Sequence, residues 1–99
     1  MANENVFKAL ADPTRRKILR LLGTNGELSA GQLNSHFDMT APSMSHHFNI
    51  LKNADLVFVR REAQQLFYSL NTTVFQDVMA LMLDIFSQGK NGEAKEHEN

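Results

Sequence analysis

The sequence predicts a mainly α-helical fold carrying one two-stranded β-hairpin, and three observations support it. Apolar residues recur at helical spacing through most of the chain. Asp12-Pro13, Ser29-x-x-Gln32 and Thr40-x-Pro42 read as helix starts, each with a side-chain oxygen able to hold a free backbone N–H. Only two runs, Val57-Phe58-Val59-Arg60-Arg61 and Leu66-Phe67-Tyr68-Ser69-Leu70, are rich enough in β-branched and aromatic residues to be strands. At 99 residues, 42% apolar and 21% charged, the chain can bury one core and no second one.

The elements follow in order. Val6 to Leu10 form a short helix ending near Ala11, and Asp12-Pro13 opens a second that runs to about Leu22, with Ile18, Leu19 and Leu22 inward. Gly23-Thr24-Asn25-Gly26 ends it. The capping box at Ser29 starts a third helix ending near Phe37. Asp38-Met39-Thr40 connects it to a fourth, from Ala41 to about Ala54, and two helices joined so closely match a helix-turn-helix. The two strands come next, with Glu62-Ala63-Gln64-Gln65 as the hairpin loop. A last helix runs from Val74 to Phe86.

The order α-α-α-α-β-β-α is that of a winged helix-turn-helix, the hairpin being the wing. Two strands alone are marginal in water, so this hairpin needs the helices beneath it. Residues 1–88 form the domain, and the polar segment 89–99 is expected to be a disordered tail.

Composition excludes several functions. With no cysteine there are no disulfides, thiolate metal sites or thiol redox steps, which suits a cytoplasmic protein. The amino terminus lacks the basic and apolar stretches of a signal peptide, and no apolar run is long enough to insert in a membrane. No glycine-rich phosphate loop, nucleophile elbow or cysteine nucleophile is present, so neither an enzyme nor a cofactor is expected. The net charge of −1 counts mildly against nucleic acid but permits it, because phosphate neutralisation is local.

The candidate binding residues lie on helix 41–54. Stepping about 100° per residue, Met44, Phe48 and Leu51 gather on one side, with His47 at the edge. Pro42, Ser45, His46, Asn49 and Asn53 gather on the other, and Ser43 opens the helix beside them. Small polar side chains let a helix backbone enter a DNA major groove and can hydrogen-bond to base edges or phosphates. Arg15, Arg16 and Lys52, with Arg60, Arg61, Gln64 and Gln65 of the wing, are the candidate phosphate contacts, though each could be solvated surface.

From Val74 to Phe86 only Gln76, Asp77 and Asp84 are polar. A helix resting on its own small domain needs one apolar stripe, and this one is apolar nearly all round. The expectation is a homodimer, with Val78, Leu81, Met82, Ile85 and Phe86 meeting their copies and Val6, Phe7 and Leu10 of the first helix alongside.

Two segments resemble the ArsR/SmtB family of bacterial repressors. Ala11-Asp12-Pro13-Thr14-Arg15-Arg16 with Ile18-Leu19-x-Leu21-Leu22 is similar to that family's second helix. Pro42-Ser43-Met44-Ser45-His46-His47-Phe48-x-x-Leu51 with Ala54-x-Leu56-Val57 is similar to its recognition helix. The start Val6-Phe7-Lys8-Ala9 and the segment Tyr68 to Thr73 resemble its SdpR-like autorepressor branch. The resemblance implies a dimer that covers a double-stranded DNA operator and releases it on a signal from an unknown protein or small-molecule inducer. The family's metal sensors place thiolates where this chain has Ser29 and Gly31, and Asp and His on a last helix that here has Asp77 and Asp84 alone. Carboxylates alone make a poor zinc or nickel site, so no metal is expected. A metal- or ligand-responsive sensor and a winged helix that binds protein instead of DNA are the alternatives.

Overall fold

The computed structural model describes the backbone of residues 4–98 and side chains as far as Ser87. The helices are α1 (Glu4–Leu10), α2 (Pro13–Asn25), α3 (Ala30–Asn34), α4 (Ala41–Asn53) and α5 (Thr72–Glu98). The strands are β1 (Leu28–Ser29), β2 (Val57–Glu62) and β3 (Gln65–Leu70).

Each predicted cap forms. The Asp12 carboxylate accepts from Arg15 N–H at 3.1 Å. Ser29 and Gln32 complete a reciprocal capping box at 3.1 and 2.8 Å. Thr40 Oγ1 accepts from Ser43 N–H at 3.3 Å, with Pro42 in the first turn of α4, where a missing N–H costs nothing. At the other end of α4, Leu56 N–H reaches Leu51 O and Asp55 N–H reaches Lys52 O, the paired bonds of a Schellman cap. Asp55 takes the left-handed position that this cap requires, with φ of 58°.

Ile18, Leu22, Leu33, Met44, Leu51 and Leu56 lose nearly all contact with solvent, and Val6 and Ala9 join them from α1. Phe48 of α4 stacks on Tyr68 of β3 with ring centroids 4.6 Å apart, so the helix-turn-helix and the sheet share one core.

The structure departs from expectation in five places. The wing has a third strand: β1 pairs antiparallel with β3 and the sheet order is β1-β3-β2, leaving β2 at the edge. Two residues are too few to show a period in the sequence, and β1 exists only because β3 offers a ladder. The loop is shorter than four residues, because Glu62 pairs with Gln65 and only Ala63-Gln64 turn the chain, with Ala63 at φ 54°. Helix α2 continues past Leu22 to Asn25, where Gly26 N–H closes it onto Leu22 O at 2.8 Å, whereas α3 stops at Asn34. Helix α5 continues beyond Phe86 to Glu98. Each added residue gains a backbone hydrogen bond and no proline interrupts the run. Among the described residues, no helix is long and apolar enough to cross a membrane.

Candidate nucleic-acid interface

With Met44, Phe48 and Leu51 fixed in the core, 3.6 residues per turn force Ser45, His46, Asn49, Lys52 and Asn53 outward, and all five are exposed. Ser43 is also exposed, and its Oγ accepts from the Thr40 hydroxyl at 3.1 Å, which holds both at the start of α4. Beyond the end of α4, Lys52 and Asn53 face Asp55, Val57, Val59, Arg61 and Leu66 across an open cleft of about 620 Å³. Lys52 and Arg61 supply its two cations. The polar face of α4 and this cleft form one continuous strip between helix and wing. Gln64 and Gln65 stand exposed at the wing tip.

A family model described as a helix-turn-helix domain matches residues 10–60, which span α2 to β2. The Bacillus subtilis transcriptional repressor SdpR is 52% identical over 87 residues, covering 88% of this chain and 96% of that one. The arsenical resistance operon repressor of Staphylococcus xylosus is 38% identical over 87 residues, covering 88% of this chain and 82% of its own length. The crystal structure of an ArsR family transcriptional regulator aligns over 91% of this chain and 97% of its own, with a TM-score of 0.82 and 26% identity. The chain belongs to the ArsR/SmtB family. It is a transcriptional repressor with a DNA-binding helix-turn-helix, and its relatives are regulators, not enzymes.

Within this ArsR/SmtB fold, several expected contacts have other work. Arg15 is buried, with 9% of its surface exposed. Its Nε donates to Ala9 O at 2.9 Å and Nη2 to Lys8 O at 3.1 Å, so the guanidinium closes the end of α1. Its Nη1 lies 3.2 Å from His47 Nδ1. Arg15 is therefore not a phosphate contact. A guanidinium only donates, so Nδ1 of His47 is the acceptor and its ring proton sits on Nε2. His47 sits at the edge of the core face, as its place on the helix predicts: its side chain is half-buried against α2 and is not part of the outward row, although it was also a candidate DNA contact. Burial holds the His47 ring below its ordinary pKa, and the positive charges of Arg15 and His46 add to this against the pull of Asp12. Arg16 Nη1 donates to Leu10 O at 2.9 Å but stays at the surface. Lys17 donates to His36 O at 2.9 Å and lies over the Phe37 ring. Much of the basic run of α2 thus ties down the carbonyl ends of α1 and α3.

On the wing, Arg60 grips Glu27 through two bonds of 2.7 and 3.1 Å, meets Glu62 at 3.5 Å and covers the Phe67 ring. This side-chain bond holds the Glu27 carboxyl below its usual range, against the opposing effect of desolvation. Arg61, the next residue, faces the cleft instead.

The expected partner surface divides in two. Val6 is fully buried in the core of its own chain, which corrects its assignment to a seam. Leu10 and Val78 pack half-buried on that core, and Leu81 is half-exposed. Phe7, Met82, Ile85 and Phe86 are exposed, and Met79 and Leu83 with them. Those two, missed from the sequence, are recognisable by their three- and four-residue spacing from Met82, Phe86 and Phe75.

Proposed function

We propose that this repressor binds DNA as a two-fold dimer closed along α5 and Phe7, presenting both α4 helices to an inverted-repeat operator in its own promoter. The observation that carries the proposal is the strip between α4 and the wing. Ser45, His46 and Asn49 offer small polar groups to base edges, while Lys52 and Arg61 offer cations beside an open cleft to the phosphate backbone. The exposed apolar side chains of α5, from Met79 to Phe86, are too large a patch to leave to water and supply the dimer seam. Half-site centres then lie about one turn of DNA apart or a multiple of it. The setting is the cytoplasm. Release is driven by a partner protein, a small ligand or a change in protein amount, and not by metal. Ser29, at one of the sensors' thiolate positions, spends its hydroxyl on capping α3.

Retardation of the promoter fragment by purified protein tests this directly. The operator should stay bound at salt concentrations that strip random DNA, with zinc, copper, arsenite and peroxide leaving its affinity unchanged. Equal affinity for both DNAs would leave a winged helix that docks on protein. Reversible, stoichiometric release by one of the metals would make it a metal sensor.

A further inference from the structure

Arg15 and His47 form a joint that neither the groove-facing row nor the apolar seam uses. The guanidinium takes two carbonyls from the end of α1, the helix that carries Phe7, and donates its remaining arm to a ring on α4. Asp12 approaches the same ring nitrogen, with Oδ2 3.8 Å from Nδ1. One side chain thus joins the helix at the proposed seam to the helix at the proposed groove.

We infer that Arg15 is a positioning residue that sets α4 against the dimer seam through a neutral His47, so that protonation of His47 unlocks the reading helix and lowers operator specificity. The inference rests on the dimeric DNA-binding function proposed above. Its basis is donor and acceptor chemistry. The Nδ1 lone pair can accept from Arg15 only while the ring is neutral. A proton on Nδ1 sets two donors and two cations face to face at 3.2 Å, and the acceptor beside it is the Asp12 carboxylate. Asp12 already receives Arg15 N–H as the cap of α2. To hydrogen-bond it the ring must close a gap of 3.8 Å and turn from Arg15, which strains α4 against Phe48, the next residue, held in the core. The charged and titratable groups facing the ring are Asp12 and Arg15 from α2 and His46 from α4 itself, whose ring centroid is 5.8 Å away. The Lys8 side chain of α1 points to solvent, and only its backbone enters the joint. Small shifts of α4 change the separation of two reading helices in a dimer. They therefore penalise an operator with fixed half-site spacing more than random DNA.

The ratio of operator to random-DNA affinity, measured for the full chain at pH 7.5 and 5.5, tests the joint. In the wild type, acidification should lower this ratio about tenfold, the scale of an ordinary coupling between sites. His47→Asn places an amide oxygen where Nδ1 stood, an acceptor that does not titrate. It should abolish the fall, whereas His36→Asn should retain it. Arg15→Gln should flatten the pH response and lower the ratio at both pH values. A fall of the same size in His47→Asn overturns the inference, and so does a wild-type ratio that ignores pH. If Arg15→Gln does not fold, the histidine pair decides alone. A wild type with no operator preference at pH 7.5 instead defeats the proposed function itself.

Discussion

Arg60 and Arg61 are neighbours whose side chains point to opposite faces of β2, because successive residues of a strand alternate. Arg60 is neutralised by Glu27 and Glu62, and Arg61 faces the cleft with Lys52. Arg61→Ala should weaken binding to operator and random DNA alike and reduce the salt slope by about one. Arg60→Ala should leave that slope unchanged, which binding titrations across salt concentrations would show. Ser45→Ala, His46→Ala and Asn49→Ala should instead weaken operator binding selectively, each by about 1–3 kcal/mol where a base contact is lost. His47 also leaves a mark on folding. Its pKa is depressed in the folded chain, so near and below 6.5 the unfolded chain binds the proton more readily. Its stabilising contribution is complete above that pH and is lost as pH falls toward the folded-state value. Urea midpoints followed downward from neutral pH should decline below 6.5 in the wild type and not in His47→Asn. Parallel curves would place the titration elsewhere.

At the level of elements, the left-handed residue that ends α4 is an aspartate. Its Cβ is strained at φ 58°, and its negative charge faces the negative end of a helix. Asp55→Gly should stabilise the protein by about 0.5–1 kcal/mol, the relief of strain exceeding the extra freedom gained by the unfolded chain. A thermal or urea midpoint that falls would mean that the carboxylate has a partner of its own. The helices and their starts were legible in the sequence because caps are local: Asp12, Ser29 and Thr40 each bond to an N–H three residues on. The polar row of α4 was legible because one helical period decides it. What was not legible depends on distant chain. Leu28-Ser29 becomes a strand only when Tyr68 and Phe67 arrive beside it. Arg15 looked like a surface cation because nothing local shows that the carbonyls of Lys8 and Ala9 turn toward it. Val6 looked like seam for the same reason, its helix being too short to show which side the core would claim.

For the molecule as a whole, the core of one chain accounts for α1 to β3 and the first turns of α5, leaving Met79, Met82, Leu83 and Ile85 exposed. Met82, more than half exposed at 57%, sits amid them. Met82→Asp should introduce an unpaired charge into an apolar seam, at a cost of several kcal/mol per dimer. The variant should sediment as a monomer and lose operator binding with every groove-facing residue intact. A wild-type chain that is monomeric at micromolar concentration and still holds its operator would remove the two-fold arrangement.

The same helix shapes the lone chain. At 27 residues α5 is about 40 Å long, and it stretches a molecule of 24 × 23 Å cross-section to 64 Å. A rod of that outline drags more solvent than a ball of equal mass. A single chain should therefore leave a sizing column early, at the volume of a heavier compact protein, and a paired one, with two such helices laid together, should gain less in radius than it doubles in weight. Elution volume will separate the two states poorly; buoyant mass and scattered light, which count atoms and not outline, will separate them cleanly.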